Sequence, residues 1–184
     1  MSPGAKRDGS ILNPPHCATE MKPLKLVSRS PEQTQYLGTC LGKMAQAGDI
    51  FLLVGDLGTG KTCLTQGIAW GLGVKEYAFS PSFVIIREYH GRLLLYHIDL
   101  YRLERLEEIA DLGLDEYFYG NGICVVEWAE KGLKVLPTEN LLITLTYISE
   151  RKRSLYLEPK AKRYSQILKQ LIPDLGKDKK WNWQ

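Results

Sequence analysis

Cysteine is scarce in this chain of 184 residues: four, at 17, 40, 63 and 124, and none in a CxxC pair. A domain of this length builds its core without covalent staples. Disulfide frameworks and zinc sites are therefore not expected, and free thiols in a reducing cytoplasm are. No apolar stretch approaches the ~20 residues that span a bilayer, so no membrane role is expected. The opening residues MSPGAKRDGSILNPPHCATE lack the uninterrupted apolar segment of a secretory signal. Histidine numbers three, and His16 and His90 carry no pattern. No internal repeat is found, which sets solenoids and propellers aside.

What is present is an ordinary globular balance, 44% hydrophobic and 24% charged. Residues 1–22, rich in Pro, Gly and small polar side chains, read as a disordered extension. Residues 23–172 read as one domain, and 173–184 as a flexible tail. The net charge of +3 is unevenly placed. Residues 151–184 hold ten Lys/Arg against three Asp/Glu, whereas the remainder holds fourteen against eighteen. A basic end of this kind can meet RNA or an acidic protein surface, or simply be solvated.

Helical spacing of Tyr36, Leu37, Cys40, Leu41 and Met44 predicts a helix over 31–47. Ser30 stands at its N-cap, Pro31 at its first position and Gln33 in a capping-box pattern, and Gly48 is its stop. The continuous apolar run DIFLLVGD predicts a strand buried on both faces. A helix from about Lys61 to Trp70 follows. Two β-rich runs around His90-Gly91 predict a hairpin whose second arm ends at Asp99. Two short helical pieces broken at Gly113 come next, then a buried strand, ICVVE, ending at Glu127. Two further strands joined by the basic turn SERKR, and a closing helix in RYSQILKQLI, complete the chain. Strands alternating with helices and then a hairpin-rich part predict an α/β layered fold around a sheet of mixed direction.

Between the first buried strand and its helix lies GDLGTGKT, from Gly55 through Asp56, Leu57, Gly58, Thr59, Gly60 and Lys61 to Thr62. It matches G-x-x-x-x-G-K-[ST] at every fixed position. A polyphosphate lies against bare backbone N–H groups, and glycines permit both the turn and the close approach. The helix starting near Lys61 aims its unpaired N–H groups at the same anion. Lys61 can reach β- and γ-phosphates, and the Thr62 hydroxyl can ligate Mg²⁺. A chance match in a chain this long is about 0.6% at usual residue frequencies, and the strand-before, helix-after context makes a mere glycine-rich turn the weaker reading.

Magnesium needs further oxygen ligands. Asp99 closes the apolar run LLLYHID as a metal-side acid should. Glu127 closes its strand in the same way and can either ligate the metal or orient the attacking water. For Trp128, which follows, packing is the stronger physical reading. The segment SPSF, with Ser80, Pro81 and Ser82, lies where nucleotide-sensing loops are often found, though turn chemistry explains it equally well. His97, two residues before Asp99 on one strand face, is read as packing or as hydrogen-bonding that acid.

The order GDLGTGKT, SPSF, HIDLYRL, IADLGLDEYF and VVEWAEKG…LP, from about Leu26 to Leu157, resembles the TsaE (YjeE) family of small bacterial ATPases of threonylcarbamoyladenosine synthesis on tRNA. The resemblance implies a P-loop NTPase-like three-layer fold with a mixed parallel and antiparallel central sheet. It also implies weak hydrolysis of ATP with Mg²⁺ that depends on two partners. These are TsaD, which transfers the threonylcarbamoyl group to the adenosine beside the anticodon, and TsaB, its dimer mate. Transfer RNA is then met only through that complex, and no DNA partner is expected.

By the same resemblance Thr62 and Glu127 become Mg²⁺ ligands, with Asp99 at or near the metal. Lys61, Glu127 and Asp99 form the catalytic set. Gly55 through Cys63, Thr34, Ser82, Trp128 and Arg151 become nucleotide contacts. Two departures stand out: Ser82 replaces the family's usual threonine, keeping a hydroxyl, and Thr59 replaces the alanine of the usual GAGKT. The alternatives in play are a small-molecule or nucleotide kinase using the same loop, and a nucleotide-gated protein-binding module.

Overall fold

The computed structural model describes residues 22–78 and 84–177. Strand β1 (Leu24–Ser28) leads into helix α1 (Pro31–Met44). The Ser30 hydroxyl accepts the Gln33 amide at 3.2 Å, and the Gln33 side chain accepts the Arg29 amide at 2.6 Å. The reciprocal cap therefore forms one residue upstream of the standard box, an arrangement of the kind that stabilises a helix start by about 1 kcal/mol. The helix ends at Met44 rather than at 47. Gly48, with φ of +84°, belongs to the turn beyond, and Asp49 closes that turn by accepting the Gln46 amide at 2.8 Å. The Arg92 guanidinium caps the exposed carbonyls of Gly42 (2.7 Å) and Ala45 (2.6 Å), satisfying acceptors that every helix C-terminus leaves open.

Strand β2 (Ile50–Val54) feeds helix α2 (Lys61–Gly71). The hairpin β3 (Ile86–His90) and β4 (Leu94–Asp99) turns at Gly91, as its sequence predicts. Helices α3 (Leu106–Ala110) and α4 (Asp115–Phe118) are separated at Gly113, whose φ is +65°. Strand β5 (Ile123–Glu127), a short 3₁₀ turn over Ala129–Lys131, strands β6 (Leu141–Tyr147) and β7 (Arg153–Pro159), and helix α5 (Lys162–Lys177) complete the chain.

The seven strands order as β1-β7-β6-β2-β5-β4-β3. Strands β6, β2, β5 and β4 run parallel, and antiparallel pairs close both edges. The sheet is thus mixed in direction, as expected. The edge strand β1, whose alternating LKLVS carried no separate signal in the sequence, pairs with β7. Pleat alternation divides the core in two. Phe51, Leu53, Leu95 and Val125 face α1, α2 and α5. Leu52, Ile98, Cys124 and Val126 face α3, α4 and the 3₁₀ turn. The result is three layers.

One expectation is corrected. The domain does not stop at 172: α5 continues to Lys177 and buries Leu175. The apolar series Tyr164, Ile167, Leu168, Leu171, Leu175 keeps its 3.6-residue period through Pro173. That proline lies on the exposed side, where a missing N–H is tolerated best. The expected N-terminal extension, apart from Lys22, and the last seven residues of the expected tail lie outside the described residues.

Helices α1 and α2 touch backbone to backbone. A Cβ on Gly38 would lie 2.3 Å from the Leu64 carbonyl oxygen and one on Gly42 2.2 Å from that of Ile68. From the other side, Gly67 would meet the Gln35 oxygen at 2.1 Å and Gly71 that of Thr39 at 2.3 Å. Two glycines four apart on each helix let the axes approach closely, which fixes where α2, and the loop before it, stands.

Candidate functional site

Ligands of open α/β sheets gather beyond the C-terminal ends of the parallel strands. Here β2 ends in the glycine loop, β4 in Asp99 and β5 in Glu127. Register places Asp99 opposite Glu127 and Glu127 opposite Leu53. Alternation points both acids to the α2 side of the sheet, the side of Leu95, Val125 and Leu53.

The loop takes the conformation that glycine allows. Gly55, Gly58 and Gly60 have φ of +141°, +78° and +98°, a region that residues with a Cβ rarely enter. At Gly55 a Cβ would also lie 2.2 Å from the Leu145 oxygen. The Thr59 hydroxyl donates to the Asp56 carbonyl at 2.8 Å. Lys61 folds back over the loop: its Nζ donates to the carbonyls of Gly55 and of Asp56, the latter at 2.9 Å. The ammonium also sits 3.7 Å from the Trp128 ring centroid, a cation–π contact. Burial lowers the Lys61 pKa, opposed by the charges of Glu127, Glu130, Asp99 and Asp56. The cation is therefore desolvated but surrounded by acids.

Glu127 is the hub. Its Oε2 accepts the Thr62 hydroxyl at 2.8 Å. Its Oε1 lies 2.8 Å from His97 Nε2 and 3.1 Å from the Thr65 hydroxyl. Glu127, His97 and Thr65 are all buried, so the carboxylate is held by fixed dipoles rather than by water. Asp99 Oδ1 accepts the Tyr101 amide at 2.9 Å. Trp128 adopts φ of +60°, a conformation that costs a non-glycine residue of order 1–3 kcal/mol. The Tyr101 ring, at 4.9 Å between centroids, backs it.

A cleft of about 510 Å³ collects Leu57, Gly58, Gly60, Lys61, Thr62, Cys63, Asp99, Glu127 and Trp128, together with Tyr101 and Arg102. Thr34 and Arg151 are not on it. They line a hollow of about 80 Å³ on the other side of Gly60 and Cys63, and Thr34 is buried against the Ser28 hydroxyl at 2.7 Å. Ser82 lies outside the described residues. No three His, Cys, Asp or Glu side chains cluster as a metal site among the described residues. The oxygen donors that do converge, one hydroxyl and two carboxylates, are the sparse set that suits a Mg²⁺ completing its octahedron with phosphate and water.

Two participants, Thr65 and Arg153, escaped the sequence reading, and the partner of a third, His97, differs from the one expected. His97 pairs with Glu127, not with Asp99. Asp99 is two residues along the same strand, whereas the Glu127 carboxylate reaches back across one strand spacing. Thr65 stands three residues after Thr62 on the same helix face, a spacing that could have signalled it. Arg153, rather than its neighbour Arg151, touches the loop, donating from Nη2 to the Gly58 carbonyl at 3.1 Å.

Cys63 gives a direct chemical check. Burial pushes its thiol up from 9.0 to about 11, Glu32 adds to the rise and Arg153 opposes it. The thiolate is the reactive form, so at neutral pH alkylation by iodoacetamide should run about a hundredfold slower than at an unperturbed thiol. Mass mapping of the labelled peptide over time measures this; labelling of Cys63 at the free-thiol rate would contradict it.

Comparison with known proteins agrees with the sequence pattern. The family model for "Threonylcarbamoyl adenosine biosynthesis protein TsaE" matches residues 28–155. The tRNA threonylcarbamoyladenosine biosynthesis protein TsaE of Treponema pallidum is 42% identical over 132 residues, which cover 72% of this chain and 98% of that protein. The protein of the same name from Bacillus subtilis is 43% identical over 152 residues, covering 82% and 95%. The crystal structure of Bacillus subtilis YdiB superposes with a TM-score of 0.73 at 38% identity, covering 83% of this chain and 96% of that one. The architecture is that of the P-loop NTPases, and the chain belongs to the TsaE family of tRNA threonylcarbamoyladenosine biosynthesis.

Proposed function

We propose that the chain binds ATP with Mg²⁺ in the cleft above Gly55–Thr62 and hydrolyses it slowly, with turnover raised by the TsaB–TsaD complex whose tRNA modification it supports. One observation carries this reading: the Thr62 hydroxyl, the Glu127 and Asp99 carboxylates and the Lys61 ammonium line one cleft at the mouth of a glycine-lined loop. A cradle without side chains, a desolvated cation and a hydroxyl bonded to a carboxylate fit a metal–polyphosphate.

Each residue then has a definite task. The loop amides and the start of α2 receive the phosphates. Lys61 exchanges its carbonyl partners for phosphate oxygens. Thr62, Glu127 and Asp99 would hold the metal, which when bound offsets charge on the β- and γ-phosphates. His97 and Thr65 fix one oxygen of Glu127 and leave the other facing Thr62 and the cleft. From there Glu127 can bind the metal or direct water. Family membership supports the choice of pathway and, through it, of the partners.

Glu127→Gln keeps the volume and removes the charge. With TsaB and TsaD present, it should lower phosphate release by about a hundredfold, the scale of a positioned catalytic group, with nucleotide affinity within a few-fold of wild type. Normal release would remove Glu127 from its role. Phosphate release with no acceptor added separates this activity from that of a kinase. A rate well above the ~10 s⁻¹ enzyme median for the chain alone would argue against dependence on partners.

A further inference from the structure

Resting on the nucleotide reading above, we propose that Arg153 is a positioning residue for the phosphate loop and ties it to the β6–β7 turn. Arg153 opens β7, where its Cα pairs with Tyr147 at the last rung of the β6–β7 hairpin and with Ser28 at the end of β1. Its guanidinium lies 4.8 Å from the Tyr147 ring centroid. From that seat one planar group does two things. Nη1 donates into the turn, to the carbonyls of Ser149 (2.7 Å), Lys152 (3.0 Å) and Glu150 (3.3 Å). Nη2 donates across to Gly58 at 3.1 Å. A fork of fixed geometry bridges two segments in this way, one terminal nitrogen to each; a single ammonium nitrogen has no such pre-set spread.

The tip of the loop needs such a brace. A Cβ at Gly58 would meet no atom within 4 Å, and Leu57 beside it is 78% exposed, so packing does not fix this stretch. Among the described residues no carboxylate pairs with Arg153, and its Nε is shielded from solvent without an acceptor. The charge is set among carbonyl dipoles and the Tyr147 ring, at the rim of the loop. It lies close enough to act on the Cys63 thiol, against the larger opposing effect of Glu32.

Two segments held by one group have linked order, and the linkage is reciprocal. Seating an anion in the loop steadies Gly58, Gly58 steadies the guanidinium, and the guanidinium steadies the turn. The reporters are the turn's own amides, Ile148 and Ser149, which donate to the Lys152 carbonyl, and Lys152, which donates to Ser149.

Hydrogen exchange on the full chain, with and without Mg²⁺ and a non-hydrolysable ATP analogue, tests this in the wild type, Arg153→Gln and Arg153→Lys. In the wild type the analogue should slow exchange both at Gly58–Thr62 and at Ile148–Lys152. Arg153→Gln should bind about tenfold more weakly, the loss expected of one hydrogen bond to a charged group. At saturation its loop should be protected and its turn not. Arg153→Lys should recover part of the affinity without the protection of the turn. Loop protection without turn protection in the wild type, or wild-type affinity in Arg153→Gln, overturns the proposal and leaves the nucleotide reading standing. Absence of any protection at Gly58–Thr62 in the wild type overturns both. The wild-type comparison decides even if Arg153→Gln fails to fold.

Discussion

Replacing Lys61 with alanine should weaken Mg²⁺–ATP binding by at least about a hundredfold, the scale of losing a charge-assisted contact to phosphate in a partly desolvated site. The reason lies in the charges around the ammonium. Glu127, Glu130, Asp99 and Asp56 all act on it, and it shares the cleft wall with two of them, Glu127 and Asp99. Without it an incoming polyphosphate meets those acids with no ammonium between them to offset their charge. Two unit charges at 4 Å interact by about 4 kcal/mol at the effective dielectric of a protein surface, enough to turn a favourable approach into an unfavourable one. Lys61→Arg is not a rescue. The planar fork is larger and cannot fold under Trp128 onto the carbonyls of Gly55 and Asp56 as the ammonium does. Titration calorimetry with Mg²⁺–ATP measures the effect, and an alanine variant that binds within threefold of wild type would contradict it.

The second large effect is on folding. Gly67→Ala should destabilise the chain by about 3 kcal/mol, the upper range for overpacking a tight contact, and lower its melting temperature by about 10 °C for a domain of this size. The new methyl would lie 2.1 Å from the Gln35 carbonyl oxygen and 2.8 Å from its carbon. Both belong to backbone in the middle of α1, so no side chain can swing aside and the helices must part. Parting them also breaks the seat of Cys63 against Pro31 at 3.3 Å, next to the loop. The control is Gly176→Ala near the end of α5, where a Cβ meets nothing within 4 Å. It should be neutral or stabilising by up to about 1 kcal/mol from helix propensity. Urea unfolding of the two variants side by side makes the comparison. If Gly67→Ala matches wild type, the backbone-contact account of the α1–α2 interface is wrong.

Much of this was legible in the sequence because it is local. The strand–loop–helix unit at 50–71, the hairpin at Gly91, the break at Gly113 and the caps at Ser30 each rest on residues a few positions apart, where φ restrictions and period alone decide. Asp99 and Glu127 each end an apolar strand, and the structure places both on the cleft. What escaped depends on which strands become neighbours. The His97–Glu127 bond needs β4 beside β5, and the Arg153–Gly58 bond needs β7 folded back past the loop. Neither follows from spacing along the chain. Arg151 and Arg153 both line the small hollow beside Thr34, and it is Arg153, seated at the first rung of β7, whose guanidinium donates to Gly58. The glycine pairs of α1 and α2 read as weak helix residues in isolation and acquire meaning only once the helices are packed. The closing helix read in RYSQILKQLI runs on to Lys177, because Pro173 lies on an exposed face where it interrupts little.

The account stands on a magnesium–nucleotide complex forming over the loop that opens at Gly55. Calorimetric titration of the intact, folded chain with ATP in the presence of Mg²⁺ tests this most directly. One-to-one binding that disappears when the metal is chelated, and is lost in Lys61→Ala, is the predicted result. No measurable heat of binding for the wild type, with or without magnesium, at millimolar nucleotide would contradict it.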